Sequence, residues 1–115
     1  MQNIKLIKNG YINIPINKIE NSISTLSFST KLVHFENYST EEFGVYLFVF
    51  ERYYFRINGY LSLTILIRDN PNTSTVDLII SAAKNGFFNL SFGAGNNLLD
   101  SVTKYFEKIG FRKVI

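Results

Sequence analysis

The stretch 45–67, which reads VYLFVFERYYFRINGYLSLTILI, decides the fold. Its two halves, 45–57 and 61–67, are dense in β-branched and aromatic residues, which favour strands. Asn58-Gly59 lies between them, and this dipeptide is typical of a tight turn that joins two strands. The stretch therefore predicts a hairpin of two long strands, with Gly-containing turn chemistry at its tip.

Shorter apolar segments on both sides of the hairpin predict further strands. They cover residues 4–8, 32–36, 76–83 and 87–92, and turn-forming residues separate them. The first of these strands ends at Asn9-Gly10. Because the strands follow one another closely, we expect an antiparallel meander.

Two segments have helical spacing instead. One follows Pro15, and its apolar face consists of Ile16, Ile19, Ile23 and Leu26. The other follows Asn97, which is placed to cap its N-terminus, and Gly110 is placed to stop it. We expect both helices to stabilise the fold by packing on the sheet.

Together these elements predict a two-layer α+β fold in the order β-α-β-β-β-β-β-α. The sheet is expected to be mostly antiparallel, with both helices mainly on one face. A chain of 115 residues is long enough for one hydrophobic core. We therefore expect a single domain over residues 1–115.

Composition excludes several classes of protein. With 46% hydrophobic and 18% charged residues the chain is not disordered, and without cysteine it has neither disulfides nor thiolate metal sites. A net charge of +3 does not favour a nucleic-acid partner. Residues 1–8 lack the pattern of a signal peptide, and no apolar run is long enough to span a membrane. We expect a cytoplasmic protein, and the abundance of Ile, Asn and Lys suggests a low-GC bacterium.

The length of the central turn decides which side chains share a face of the sheet. A two-residue Asn58-Gly59 turn places Phe48, Phe50, Arg52 and Arg56 with Leu61, so that two arginines lie on the core face. A three-residue turn, Ile57-Asn58-Gly59, instead gives a core face of Val45, Leu47, Val49, Tyr53 and Phe55. We prefer the three-residue turn because it gives an almost wholly apolar core face.

The preferred turn leaves an aromatic and arginine-rich face opposite the core. This predicted interaction face consists of Tyr46, Phe48, Phe50, Arg52, Tyr54, Arg56, Tyr60, Leu66 and Arg68. Aromatic residues and arginine are enriched at protein interfaces, so a homodimer through this face is one interpretation. The others are that a helix, a loop or curling of the sheet covers it, or that it binds a ligand or bases.

No set of residues indicates catalysis, a cofactor or a metal site. His34 is the only histidine, and Glu41-Glu42 and Glu51 have no pocket assigned to them. Gly93-Ala94-Gly95 precedes a predicted helix but lacks the other residues of a phosphate-binding loop. We expect no catalytic, cofactor-binding or metal-binding residues, and no cofactor. On an apolar core face, Glu51 is expected near an edge or beside a cation.

Several motifs resemble a bacterial domain-of-unknown-function family, number 6054. They are Phe50-Glu51-Arg52-Tyr53, Leu61-Ser62-Leu63-Thr64-Ile65, Leu78-Ile79-Ile80-Ser81-Ala82-Ala83 and Leu98-Leu99-Asp100, in that order. The resemblance covers nearly the whole chain. It implies a strand, a helix, a meander and a final helix, and it implies no activity because that family is uncharacterised.

Two hypotheses for function follow. The first is a non-enzymatic interaction or regulatory module that self-associates through the interaction face or binds another protein. The second is a binder of a small apolar or aromatic ligand in a cleft between the sheet and the C-terminal helix. An enzyme is the third choice because clustered titratable residues are missing.

Overall fold

The computed structural model describes residues 2–26, 30–54, 59–82 and 94–114. Their elements are β1 Gln2–Asn9, α1 Ile16–Ser24, β2 Thr30–Asn37, β3 Gly44–Tyr54, β4 Gly59–Asp69, β5 Thr73–Ala82, α2 Ala94–Lys108 and β6 Arg112–Lys113. The strands form one six-stranded antiparallel sheet in the order β2-β3-β4-β5-β1-β6. The predicted α+β fold with two helices and an antiparallel sheet is confirmed.

The chain crosses the sheet twice through its helices. α1 carries the chain from β1 to the far edge, where β2 begins a meander that returns to β5 beside β1. α2 then leads from β5 to β6, on the other side of β1. The sequence did not predict β6, because two residues are too few to show a period. The strand predicted at 87–92 lies outside the described residues.

One side of the sheet, named the inner face, carries the hydrophobic core. Its core side chains are Leu6, Phe48, Phe50, Leu61, Leu63, Ile65, Ile67, Val76, Leu78 and Ile80, each at most 1% exposed. Ile19 and Ile23 of α1 join this core, as do Leu98, Val102 and Phe106 of α2. Each such side chain contributes about 1.5–3 kcal/mol by leaving water. Both helices therefore pack on the same face, as predicted.

The register of β3 against β4 differs from the preferred prediction. Tyr54 pairs with Gly59, so an even number of residues, 55–58, connects the two strands. Phe48 is consequently opposite Ile65 and Phe50 is opposite Leu63, and both phenylalanines are buried. The three-residue turn is wrong because this register buries the phenyl rings, which remove more apolar area from water than Leu47 and Val49.

The helix ends are set by backbone chemistry. Pro15 precedes α1 with φ −56°, and α1 ends at Ser24, so Leu26 lies beyond the helix and is exposed. α2 begins at Ala94, and the prediction that Asn97 caps it is wrong because Asn97 lies inside the helix. Asn97 accepts a hydrogen bond from Ser101 Oγ through its carbonyl, at 3.0 Å, as residues within a helix do.

The C-terminus of α2 has the predicted glycine stop. Gly110 has φ +109°, its N–H donates to the Glu107 carbonyl at 3.1 Å, and the N–H of Phe111 donates to the Phe106 carbonyl at 3.0 Å. This pair of bonds is a Schellman motif, which ends a helix in a left-handed residue. The Phe111 ring packs edge-on against Phe106, with ring centroids 5.5 Å apart. The cap thereby turns the chain into β6.

A buried hydroxyl ties the start of the fold to the β4–β5 turn. Ser74 Oγ donates to the Gly10 carbonyl at 2.7 Å and accepts from the Asn70 N–H at 3.2 Å. Asp69 Oδ1 accepts from the Ile12 N–H at 2.9 Å. Because buried polar groups are costly when unpaired, these bonds fix the path between β1 and α1.

Replacing Gly110 with alanine tests the cap. We expect Gly110→Ala to lower the free energy of unfolding by about 1–2 kcal/mol, because a residue with a Cβ is strained at this φ. The new Cβ would also lie 3.2 Å from Cε of Lys8. Urea denaturation measures the change. Lys104→Ala, on the exposed side of α2, is the control and should change stability by less than about 0.5 kcal/mol. Equal stability of both variants would contradict the role of Gly110.

Neighbouring aspartate substitutions on β3 test the register. Phe48→Asp should cost more than about 3 kcal/mol and prevent folding, because it removes a buried ring and buries a carboxylate. Leu47→Asp places the carboxylate on the other face, which is partly exposed, and should remain folded. Circular dichroism spectra and the midpoints of urea denaturation, measured on dilute protein, show which of the two variants is folded. A folded Phe48→Asp protein beside an unfolded Leu47→Asp protein would indicate the opposite register.

Candidate interaction surface

The residues predicted to form one interaction face do not share a face. The inner face carries Tyr46, Phe48, Phe50 and Arg52. Tyr54 is the next residue in the same alternating series along β3. Tyr60, Leu66 and Arg68 lie on the opposite side of the sheet. Arg56 lies outside the described residues. The predicted face is therefore wrong as a single surface, because the register of β3 against β4 divides it.

Arg52 shows why an arginine is tolerated on the inner face. It is only partly buried and lies two residues before the end of β3. Its neighbours in the ladders are Thr30, the first residue of the edge strand β2, and Leu61. This position is at the margin of the core, so the guanidinium does not have to enter its centre.

The side of the sheet opposite the helices is named the outer face. On its central strands β3, β4 and β5 it consists of Val45, Leu47, Val49, Glu51, Tyr53, Tyr60, Ser62, Thr64, Leu66, Arg68, Thr75, Asp77, Ile79 and Ser81. The flanking strands add Asn3, Lys5, Ile7, Lys31, His34, Glu36 and Arg112. The buried residues of α1 and α2 belong to the inner core, so neither helix covers this face.

One row of paired residues crosses the outer face and has charged ends and an apolar centre. Glu36 pairs with Leu47, Leu47 with Leu66, Leu66 with Asp77, and Asp77 with Lys5. Direct cross-strand neighbours have Cβ atoms about 5 Å apart, so Leu47 and Leu66 are close enough for apolar contact. The row thus places an apolar contact in the middle of the sheet, between polar margins.

Apolar residues extend this contact along β3. Val45 and Val49 lie on either side of Leu47 on the same face, and all three are only partly buried. Together with Leu66 they form what is named the apolar patch. A partly exposed patch of this kind on the centre of a sheet indicates a place where further apolar surface can be covered.

Charged side chains beside the patch are arranged in opposite-sign pairs. Arg68 Nη1 lies 3.7 Å from Asp77 Oδ2, and Lys31 is directly opposite Glu51 in the β2–β3 ladder. Such exposed pairs contribute at most about 1 kcal/mol each. Glu51 does share a face with Val45, Leu47 and Val49, and it lies beside a cation and next to the edge strand, as expected. That face is the outer one.

Aromatic residues mark the end of the outer face near the β3–β4 connection. The Tyr53 and Tyr60 rings meet edge to face, with centroids 5.2 Å apart, and they are 37% and 49% exposed. Tyrosines bring large contact area with few rotatable bonds, which is why they are frequent in interfaces. Tyr60 is a residue that the sequence assigned to the interaction face, and Tyr53 is one that it assigned to the core.

Titratable groups on the described residues do not form a recognisable catalytic arrangement. His34 Nε2 lies 3.6 Å from Glu36 Oε1 on the edge strand, and both side chains are about half exposed. Within the described ranges, no group of three or more histidine, aspartate or glutamate residues is placed to hold a metal ion. Gly93, part of the glycine segment before α2, lies outside those ranges.

Two surface depressions lie away from the cleft that was predicted between the sheet and the C-terminal helix. One, of about 310 Å³, is on the outer face and is lined by Lys5, Leu66, Asp77 and Ile79 among others. The other, of about 380 Å³, lies between Leu26 and the exposed side of α2. Residues of α2 that face the sheet, such as Val102 and Phe106, are fully buried. Ligand binding at that cleft stays a prediction.

Comparison with known families identifies the chain. None of the helices in the described ranges has both the length and the apolar character needed to cross a bilayer. No curated protein and no solved structure shows significant similarity to the chain. A family model, described as a family of unknown function (DUF6054), matches residues 1–110. With nearly its whole length matched, the chain belongs to the DUF6054 family.

Proposed function

We propose that this protein is a non-enzymatic interaction module that binds a second copy of itself through the outer face. The observation that supports the proposal is the apolar patch of Val45, Leu47, Val49 and Leu66, which is partly exposed although the helices cover the core residues of the inner face. A folded monomer gains nothing from this patch in water. Covering it is favourable by about 25 cal/mol for each Å² of apolar surface removed from water.

The surroundings of the patch match the anatomy of a protein interface. Tyr53 and Tyr60 supply exposed aromatic area at one end, and Lys5, Asp77 and Arg68 supply polar groups at the margins. Interfaces combine an apolar and aromatic centre with a polar rim in this way. The same arrangement does not supply the clustered bases, acids or nucleophiles that catalysis requires.

Charge favours a second copy over an unrelated partner. Lys5 and Arg112 give the β1–β6 end of the outer face positive charge, whereas at the β2–β3 end Glu36 and Glu51 outnumber Lys31. A two-fold axis parallel to the strands brings opposite ends of two copies together. The cations of one copy then lie over the acidic end of the other, and this occurs twice by symmetry.

The proposal includes a regulatory role in the cytoplasm of a low-GC bacterium. The absence of cysteine suits a reducing compartment, and the abundance of Ile, Asn and Lys suits an AT-rich genome. A regulatory module is preferred to a structural one because self-association of a small domain is sensitive to concentration. The process it regulates would be found through proteins that bind the dimer and not the monomer.

Sedimentation equilibrium tests self-association through the outer face. The wild-type protein should associate with rising concentration. Leu66→Asp should weaken association at least about tenfold while circular dichroism stays unchanged, because it places a carboxylate in the centre of the interface. The matched control is Leu26→Asp, which makes the same substitution at an exposed leucine after α1 and should associate like wild type.

Two results would contradict this proposal. A wild-type protein that remains monomeric at all concentrations has no second copy bound to its outer face. Equal association of Leu66→Asp and wild type would show that any dimer uses another surface.

A further inference from the structure

β2 is a long strand at one edge of the sheet. It spans Thr30–Asn37 and, among the described residues, pairs on one side only, with β3. The opposite edge is β6, which has two residues, Arg112 and Lys113. A long edge strand presents backbone N–H and C=O groups that can pair with another strand, whereas a short, charged one does not. Backbone pairing at the sheet edge is therefore available at β2.

A bulge in β2 decides which of its side chains share a face. Leu32 pairs with Phe50, but His34 pairs with Val49, so Val33 is an extra residue in the ladder. Lys31, on one side of the bulge, and Glu36, on the other, consequently lie on the outer face together. Without the bulge they would lie on opposite faces, since five positions separate them and side chains alternate along a strand.

We propose that β2 pairs in antiparallel fashion with β2 of a second copy, around a two-fold axis between Val33 and His34. In this register Lys31 is opposite Glu36 of the other copy, and Leu32 is opposite Phe35. Each pair occurs twice, because the two-fold axis exchanges the two β2 strands. Both pairs lie on matching faces only because of the bulge at Val33. The strand is thus complementary to itself, with opposite charges in one pair and apolar side chains in the other.

Exposure of the apolar residues on β2 supports this interface. Val33 is 49% exposed and Phe35 is 38% exposed. The Phe35 ring already packs against Phe48 of the inner core, with ring centroids 4.9 Å apart. Pairing with Leu32 of the second copy extends that core across the edge. It also removes the exposed aromatic from water.

Pairing at the β2 edge is a second interface, separate from the one proposed on the outer face. It does not depend on contact between outer faces. Its two-fold axis is perpendicular to the sheet, so two six-stranded sheets become continuous and both outer faces lie on the same side. The axis that relates two stacked outer faces lies in the plane of the sheet. The axis proposed for the outer faces runs over the middle of the sheet, whereas the axis of edge pairing lies at the β2 edge, so the two axes do not intersect and both contacts together would join copies into an open chain.

Charge substitutions on β2 test this pairing, in a protein that also carries Leu66→Asp so that the outer face does not contribute. The parent Leu66→Asp protein should be a dimer by sedimentation equilibrium. Adding Lys31→Glu or Glu36→Lys should weaken dimerisation at least about tenfold, because like charges then face each other. Making both changes together should restore the dimer, and circular dichroism verifies folding of every variant.

The outcomes separate this proposal from that for the outer face. A Leu66→Asp protein that is already monomeric overturns edge pairing and leaves the outer face as the interface. A dimer that single charge changes do not weaken, or that the double change does not restore, also overturns it. If the Leu66→Asp protein instead has the same molecular mass in solution as wild type, the outer-face proposal fails. The variants at Lys31 and Glu36 then still show whether β2 pairs with β2 of a second copy.

Discussion

The register between β3 and β4 is the constraint on which the rest of the structure depends. By placing Phe48 opposite Ile65 and Phe50 opposite Leu63, it sends both phenyl rings to the inner face. The helices then find a continuous apolar layer to pack on, and their own buried residues complete one core. A shift of one residue would exchange the two faces of β3 and leave the rings exposed.

The alternation of side chains between the two faces of the sheet also determines which surfaces are available to other molecules. Sending the rings inward leaves the smaller Val45, Leu47 and Val49 on the outer face, where the described helices do not reach. At the edge, one extra residue at Val33 reverses the alternation within β2, so that Lys31 and Glu36 share a face. Both proposed contacts between copies thus follow from which side chains share a face, set by the β3–β4 register in one case and by the bulge at Val33 in the other.

Much of the order and the ends of the helices and strands was predictable from local sequence. Which side chains lie on each face of the sheet was not. Asn9-Gly10 and Gly110 end β1 and α2 through backbone conformations that glycine favours, so these boundaries follow from chemistry. The parity of β3 was ambiguous because both alternating sets of its residues are apolar, and Asn58-Gly59 alone does not fix the length of the connection. The bulge at Val33 and the short strand β6 have no local signal. Of the predicted interaction residues, Tyr60, Leu66 and Arg68 therefore lie on the outer face, and Tyr46, Phe48 and Phe50 do not.

Thiol labelling of single-cysteine variants tests both the β3–β4 register and the burial of the outer face by a second copy, since the chain contains no cysteine. Val49→Cys places a thiol on the outer face and Phe50→Cys places one on the inner face, one residue apart. We expect rapid labelling at residue 49 in dilute protein, slow labelling there in concentrated protein, and slow labelling at residue 50 in both. Faster labelling at residue 50 than at residue 49 would contradict the register, and a rate at residue 49 that does not change with concentration would contradict burial of the outer face by a second copy.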